Sequence, residues 1–131
     1  MAETSAATKI TEIATILVPV SDQERAIAFY SEALGFEKKM DYTFGETRWV
    51  EVGPPGSTTT LAFATGGEVK PGIDTGIRLS TEDAAADHAA LKAKSVEVED
   101  LLEWGGGVPP MFILHDPDGN RLVIVQQPPR K

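Results

Sequence analysis

The sequence predicts an α+β fold built from two β-α-β-β-β modules, and three observations lead to it. The order strand, capped amphipathic helix, then three strands occurs twice within 131 residues. Each helix carries apolar residues at helical spacing, so each has one face to bury. The last two strands are separated by Asp116-Pro117-Asp118-Gly119, where proline presets the second turn position and glycine takes the left-handed conformation that closes a hairpin. The repeat weighs more than any single motif, because a unit that recurs in order is one architectural element used twice.

The first module opens with a strand from Ile10 to Val20, with Ile16, Val18 and Val20 on one face. Ser21 and Glu24 have capping-box spacing. The helix they start carries Ala26, Ile27, Phe29, Tyr30, Ala33 and Leu34, and Gly35 stands where a left-handed cap is wanted. Strands follow from Phe36 to Tyr42, Thr47 to Val52 and Thr58 to Ala64, with Gly45 between the first two and Pro54-Pro55-Gly56 as the next turn.

The same order returns after Gly66-Gly67 through Pro71-Gly72. Asp74 to Ser80 reads as a strand, and Thr81 as the cap of a helix from Glu82 to Lys94. Strands from Val96 to Leu101, Pro110 to His115 and Arg121 to Gln126 complete the module. The expected organisation is a flexible start over 1–9, one domain over 10–126, and a tail over 127–131. Within the domain, module one covers 10–65, a linker 66–72 and module two 73–126. A helix covers one face of each sheet. The other faces can curve into a shared cup, a place where small-molecule sites form.

Composition narrows the function classes. Apolar residues make up 41%, enough for a core. The net charge of −8, from 20 acidic and 12 basic side chains, repels phosphate backbones and speaks against nucleic acid as a partner. There is no cysteine, hence no disulfide framework, thiolate zinc site or cysteine nucleophile. The apolar runs are too short to span a bilayer, and Met1 to Lys9 lacks the hydrophobic stretch of a secretory signal. The expected location is the cytoplasm. No Gly-x-Ser-x-Gly elbow occurs, and Gly105-Gly106-Gly107 is not followed by the Lys-Ser/Thr of a phosphate loop.

Val18-Pro19-Val20-Ser21-Asp22, Ala26-Ile27-Ala28-Phe29-Tyr30 and Leu34-Gly35-Phe36 stand in the first half. Glu103-Trp104-Gly105-Gly106, His115-Asp116-Pro117-Asp118-Gly119-Asn120 and the closing strand from Leu122 stand in the second. In these residues and their order the chain, from Ile10 to Gln126, resembles the glyoxalase/bleomycin-resistance (vicinal oxygen chelate) superfamily. The resemblance implies a curved mixed-sheet cup with helices outside, and a homodimer, which would also protect the sheet edges. It also implies a divalent metal held by histidine and glutamate from four strand positions. Carried over one at a time, those positions hold Thr15, Ala62, Gly76 and Val123. None is a strong ligand, so neither a metal site nor a cofactor is expected, and the family's lyase, isomerase and dioxygenase activities are put in doubt.

Strand alternation places Leu17, Thr60 and Arg78 on the same faces as those four positions. Trp49 and Glu51 join them if their strand has the same sense. Arg78 could bind a carboxylate, phosphate or enolate, or pair with Glu51. Glu51 reads as a general base or as an ordinary partner of Arg78 or Arg48. Trp104 resembles the stretch near the drug in bleomycin-binding proteins and can stack a flat ligand; Trp49 can stack or sit in the core. His88 and His115 have no spacing that would make them converge.

Three functions fit this reading. The leading one is a small-molecule-binding protein without catalytic metal, of the antibiotic-sequestration type. Its candidate ligand-binding residues are Thr15, Leu17, Trp49, Thr60, Ala62, Gly76, Arg78, Trp104 and Val123. The second is an enzyme of the same fold with a non-standard or absent metal, with Glu51 as base and Arg78 stabilising an oxyanion. The third is a degenerate structural or interaction module with a closed pocket, against which small residues at Ala62 and Gly76 speak.

Overall fold

The computed structural model describes residues 8–127. The expected flexible start and tail therefore lie almost wholly outside the described residues. Thr8 and Lys9 are exposed and belong to no element, and the Gln127 amide donates to the Thr81 carbonyl at 2.9 Å.

Module one consists of β1 (Thr15–Pro19), α1 (Gln23–Glu32), β2 (Glu37–Phe44), β3 (Thr47–Gly53) and β4 (Thr60–Ala64). Module two consists of β5 (Asp74–Thr81), α2 (Ala84–Ala93), β6 (Glu97–Val98), β7 (Met111–His115) and β8 (Arg121–Gln126). The strands make two four-stranded sheets, β1-β4-β3-β2 and β5-β8-β7-β6. In each, the first and last strands of the module run parallel and the remaining neighbours antiparallel. The expected pair of β-α-β-β-β modules is thus present. Within one chain, however, β1 and β5 remain free edges and the two sheets stay separate.

Both helix starts differ from the expected caps. Asp22, not Ser21, caps α1, accepting from the Arg25 amide at 3.1 Å. The Ser21 hydroxyl instead donates to Asp118 Oδ1 at 2.6 Å. Asp83, not Thr81, caps α2 through the Ala86 amide at 3.0 Å, while Thr81 donates to the Asp87 carboxylate. In both cases a partner outside the local pattern takes the hydroxyl. The first strand is also shorter than expected. Residues 10–14 are held to the start of β4 by a single backbone bond, Thr60 N to Ala14 O, by the Thr59 hydroxyl, which donates to the Ile13 carbonyl, and by the Thr60 hydroxyl beside the Ala14 carbonyl, too little to extend the ladder. β6 shrinks to two residues because only Glu97 and Val98 form a continuous ladder with β7, while Leu102 meets Met111 in an isolated bridge.

Side chains on the helix-facing sides of both sheets form one core that includes Val18, Tyr30, Val50, Phe63, Ile77, Leu91, Phe112, Leu114, Leu122 and Ile124. Tyr30 of α1 packs against Phe29, Phe36 and Phe63, with ring centroids 5.0–5.8 Å apart. Its hydroxyl donates to Asp116 Oδ2 at 2.8 Å. Burial, then the neighbouring Asp116 charge, holds this phenol far above its ordinary titration range.

The Asp116–Asn120 turn closes the junction between modules. Gly119 has φ +84° and its amide bonds to the Asp116 carbonyl at 2.8 Å. The fully buried Asn120 side chain accepts from the Gly72 and Ile73 amides and donates to the Pro19 carbonyl at 2.8 Å. Arg25 and Ser21 reach Asp118 from module one. On the helix side of β3, Arg48 pairs with Asp41 and Glu24. Hydrogen bonds from Arg48 and then Lys38 hold the Asp41 carboxyl well below the usual carboxylate range.

Candidate functional site

Each sheet buries one face under its helix and leaves the other open. Residues aligned across neighbouring strands share a face, so the register fixes what the open face of module one carries. Met40 lies opposite Glu51, Tyr42 opposite Trp49, Glu51 opposite Ala62, Ala62 opposite Leu17, and Thr60 opposite Thr15. Six of the sequence candidates, Thr15, Leu17, Trp49, Glu51, Thr60 and Ala62, are therefore brought together here. The face is apolar yet uncovered: Leu17 is 57% exposed, Met40 47%, Tyr42 61% and Phe44 52%. Tyr42 and Phe44 lie with ring centroids 5.6 Å apart. Ala62 is fully buried, leaving a small floor between the larger side chains.

Sequence reasoning missed Met40, Tyr42 and Phe44 as site residues. The signal was present: Met40, Tyr42 and Phe44 alternate with Lys39, Asp41 and Thr43, a strand with one apolar face. Ending the strand at Tyr42 without assigning its faces hid it.

Polar groups on this face are few and linked. Thr60 Oγ1 donates to Glu51 Oε1 at 2.7 Å, and Trp49 Nε1 donates to Glu51 Oε2 at 2.6 Å. Thr15 Oγ1 lies 3.3 Å from Thr60 Oγ1. The expected pairing of Glu51 with Arg78 or Arg48 is not found among the described residues. Arg48 points to the helix side, toward Asp41 and Glu24, and Arg78 belongs to the other sheet.

The open face of module two carries Arg78, Val123 and Ile113 in register. Arg78 is exposed, and no ion pair involves it among the described residues. Gly76 lies in the irregular stretch of β5 between Asp74 and Arg78, at φ +73° and with open space where a Cβ would stand. An open hollow of about 450 Å³ lies against Glu99, Asp100, Leu102 and Ile113. Trp104 follows in the loop before β7, 67% exposed and flanked by the bridges Leu102–Met111 and Gly105–Val108. Within one chain, the candidates of module one and those of module two thus stand on two separate faces.

A smaller cleft of about 290 Å³ lies on the helix side, between Leu34 and Phe36 of module one and Leu79, Leu91 and Ile124 of module two. Its apolar wall is built from core residues and its rim from Pro54, Ser80, Thr81 and Asp87, so it opens from the interior on the helix side rather than on either open face.

The donor chemistry of the four positions that the resemblance assigns to metal does not fit a divalent ion. Thr15 offers a hydroxyl, and Ala62, Gly76 and Val123 offer no side-chain donor. Among the described residues, no group of three or more His, Cys, Asp or Glu is placed to hold a metal ion. His115 Nε2 lies 2.9 Å from Glu99 Oε2, and His88 Nε2 lies 2.9 Å from the Glu99 carbonyl with its ring edge-on to Phe112. Among the described residues, no helix is long and apolar enough to cross a membrane.

Comparison with known proteins agrees with this geometry. The family model for the Glyoxalase/Bleomycin resistance protein/Dioxygenase superfamily matches residues 12–124. An uncharacterised Bacillus subtilis protein, YetH, is 32% identical over 121 residues, covering 88% of this chain and 98% of its own. TnmS3, an antibiotic-binding protein from Streptomyces sp. CB03234, superposes with TM-score 0.82 at 32% identity, covering 92% of this chain and 99% of that one. A superfamily member from Sphaerobacter thermophilus superposes with TM-score 0.81 at 34% identity, covering 90% and 98%.

Proposed function

This chain belongs to the glyoxalase/bleomycin resistance protein/dioxygenase superfamily, and from that premise we propose that it binds a small, partly aromatic organic molecule and sequesters it unchanged, as an antibiotic-binding protein does. The observation that carries this reading is the open face of module one, where Leu17, Met40, Tyr42 and Phe44 present apolar and aromatic surface to solvent beside the half-buried Trp49. A contiguous exposed apolar patch of this kind marks an interaction site rather than ordinary surface. Aromatic pairs add about 0.5–1.5 kcal/mol each beyond their area, which suits a flat ligand. The similarity to TnmS3 supports the same ligand class.

The binding site is proposed to be complete only in a homodimer. One chain contributes its first-module face and a second copy the face of Arg78, Gly76 and Val123, with β1 of one meeting β5 of the other. Free β1 and β5 edges support this arrangement, since an unpaired edge favours pairing. In it Leu17, Thr60 and Ala62 floor the site, Trp49 lines it, Thr15 lies at its edge, and Trp104 covers it from a glycine-rich loop. The proposed place of action is the cytoplasm, and the net charge of −8 supports the exclusion of nucleic acid as a partner.

Binding without turnover follows from the chemistry present. Of the four positions that would hold a metal only Thr15 offers an oxygen, and the Glu51 carboxylate is held by two neutral donors, Thr60 and Trp49, with Arg78 brought to the site only by the second copy. The test is native mass spectrometry of protein purified without a metal-chelating tag, paired with elemental analysis. A retained organic compound of a few hundred daltons with no stoichiometric metal is the expected result. About one divalent ion per chain would overturn the reading and restore a metal-dependent enzyme.

A further inference from the structure

The strand register places two acidic residues on the open face of module one, Glu51 at its centre and Glu37 at its end opposite Gly53, and only Glu37 has a cation, Lys39, beside it among the described residues. The two carboxylate oxygens of Glu51 each accept one hydrogen bond, from Thr60 Oγ1 at 2.7 Å and from Trp49 Nε1 at 2.6 Å. Both donors are neutral, so they orient the carboxylate without cancelling its charge. No ion pair involves Glu51 among the described residues. The cations on the adjoining strands hold other carboxylates: Lys38 pairs with Asp41, Arg48 with Asp41 and Glu24, and Lys39, whose side chain crosses Gly53 beside Thr60, with Glu37.

This placement limits what can cover the face. A carboxylate offers about four lone-pair directions, of which two are used here. An occupant lying over Leu17, Trp49 and Tyr42 strips water from a half-buried, uncompensated negative charge. Burying such a charge without a partner opposes binding more strongly than the surrounding apolar contact favours it. Covering this face is therefore favoured when a positive charge reaches Glu51, and the bound molecule and the second copy's Arg78 are the two sources of such a charge.

We infer that Glu51 is a specificity-determining anchor for a cationic group, so that the site takes a flat aromatic molecule carrying an amine or amidine-type cation. The ring stacks on Trp49 and Tyr42, and the cation bonds to Glu51. The Trp49 ring is held in place by its own bond to the same carboxylate, which fixes the spacing between stacking surface and charge. Both aromatic faces also favour a cation electrostatically. The net charge of −8 adds long-range attraction for such a molecule. This inference rests on the proposed ligand-binding role of the same face and adds the charge of the ligand.

The test compares two planar probes of similar shape: proflavine, a cation at neutral pH, and acridone, which is neutral. Both are titrated by fluorescence into the full-length protein and into Glu51→Gln, with thermal melts to confirm folding. Proflavine is expected to bind wild type at least about tenfold more tightly than acridone, the range of a charge-assisted hydrogen bond. Glu51→Gln should erase that preference and leave acridone unchanged. Rising salt should weaken proflavine binding to wild type more than acridone binding to wild type, a comparison that holds even if the variant folds poorly. Equal binding of both probes to wild type would overturn the inference while leaving the ligand-binding role standing. Failure of both probes to bind would overturn both. A second copy's Arg78 is the competing source of positive charge. If Arg78→Ala and Glu51→Gln each weaken the dimer without ligand, the carboxylate is neutralised by the partner subunit and the inference falls.

Discussion

The Tyr30 hydroxyl donates to Asp116 Oδ2 across 2.8 Å, joining the first-module helix to the second-module turn inside the shared core. Asp116 also accepts from the Asp118 and Asn120 amides at 2.9 Å and from Asn120 Nδ2 at 3.0 Å, so the carboxylate is buried but fully hydrogen-bonded. Tyr30→Phe removes one donor and keeps the ring packing. The expected loss is about 1–2 kcal/mol of unfolding free energy at neutral pH, measured by urea denaturation.

The same phenol gives a pH dependence whose sign follows from its raised titration. The folded state keeps the proton well above the ordinary value of 10.0, while the unfolded chain releases it near that value. The contribution is therefore full below about pH 10 and declines as pH rises above it. Wild type should lose stability faster than Tyr30→Phe between about pH 10 and 11. Parallel decline of the two proteins would remove this role from Tyr30.

Asn120 should matter more than Tyr30. It is fully buried and satisfies the Gly72 and Ile73 amides and the carbonyl of the buried Pro19, all of which lose this partner when the side chain is cut to Ala. Asn120→Ala is expected to cost about 3–5 kcal/mol, since each buried group left unpaired costs about 1–3 kcal/mol. Asn120→Asp should also destabilise, and more so as pH rises, because it sets a second carboxylate beside Asp116. A change under about 1 kcal/mol for Asn120→Ala in urea melts would show that water replaces the side chain.

These junction residues also explain where the sequence was legible and where it was not. The repeat, the helix stripe of Ala26 and Tyr30, and the Asp116–Gly119 turn depend on neighbours a few residues apart, and they could be read. The caps could not. Ser21 has capping-box spacing with Glu24, but its hydroxyl is taken by Asp118, 97 residues away. Ile10 and Ile13 look like strand residues but find no ladder partner and remain exposed. On the site, alternation put Thr15 with Leu17 and Thr60 with Ala62, while Tyr42 and Phe44 were overlooked because the strand was cut short. Separation of the two sheets was not legible at all, since pairing of a free edge depends on which copy supplies the neighbour.

The exposed aromatic row predicts an assembly change. Tyr42 and Phe44 are more than half exposed in one chain and contribute nothing to its core, so charging them should leave the fold intact. In the proposed dimer the same side chains face a second copy or its ligand. Tyr42→Glu combined with Phe44→Glu is expected to turn a dimer into a monomer in sedimentation velocity, with an unchanged circular dichroism spectrum. The melting temperature of wild type should rise with protein concentration and that of the variant should not. A wild-type protein that is monomeric at tens of micromolar would remove the second copy from the site.

Trp104 separates ligand binding from folding most cleanly. At 67% exposure the ring adds little to the fold, so Trp104→Ala should change stability by no more than about 0.5 kcal/mol. Three successive glycines follow it, each with positive φ, and give the loop a backbone that side chains would strain. If the ring covers the bound molecule, its removal should weaken binding about tenfold and act mainly on the dissociation rate, since a cover opposes exit more than entry. Phe at this position should recover most of the affinity, because it restores the stacking surface but not the indole N–H. A large fall in thermal stability with unchanged affinity would instead assign Trp104 to the packing of the loop against the β6–β7 edge.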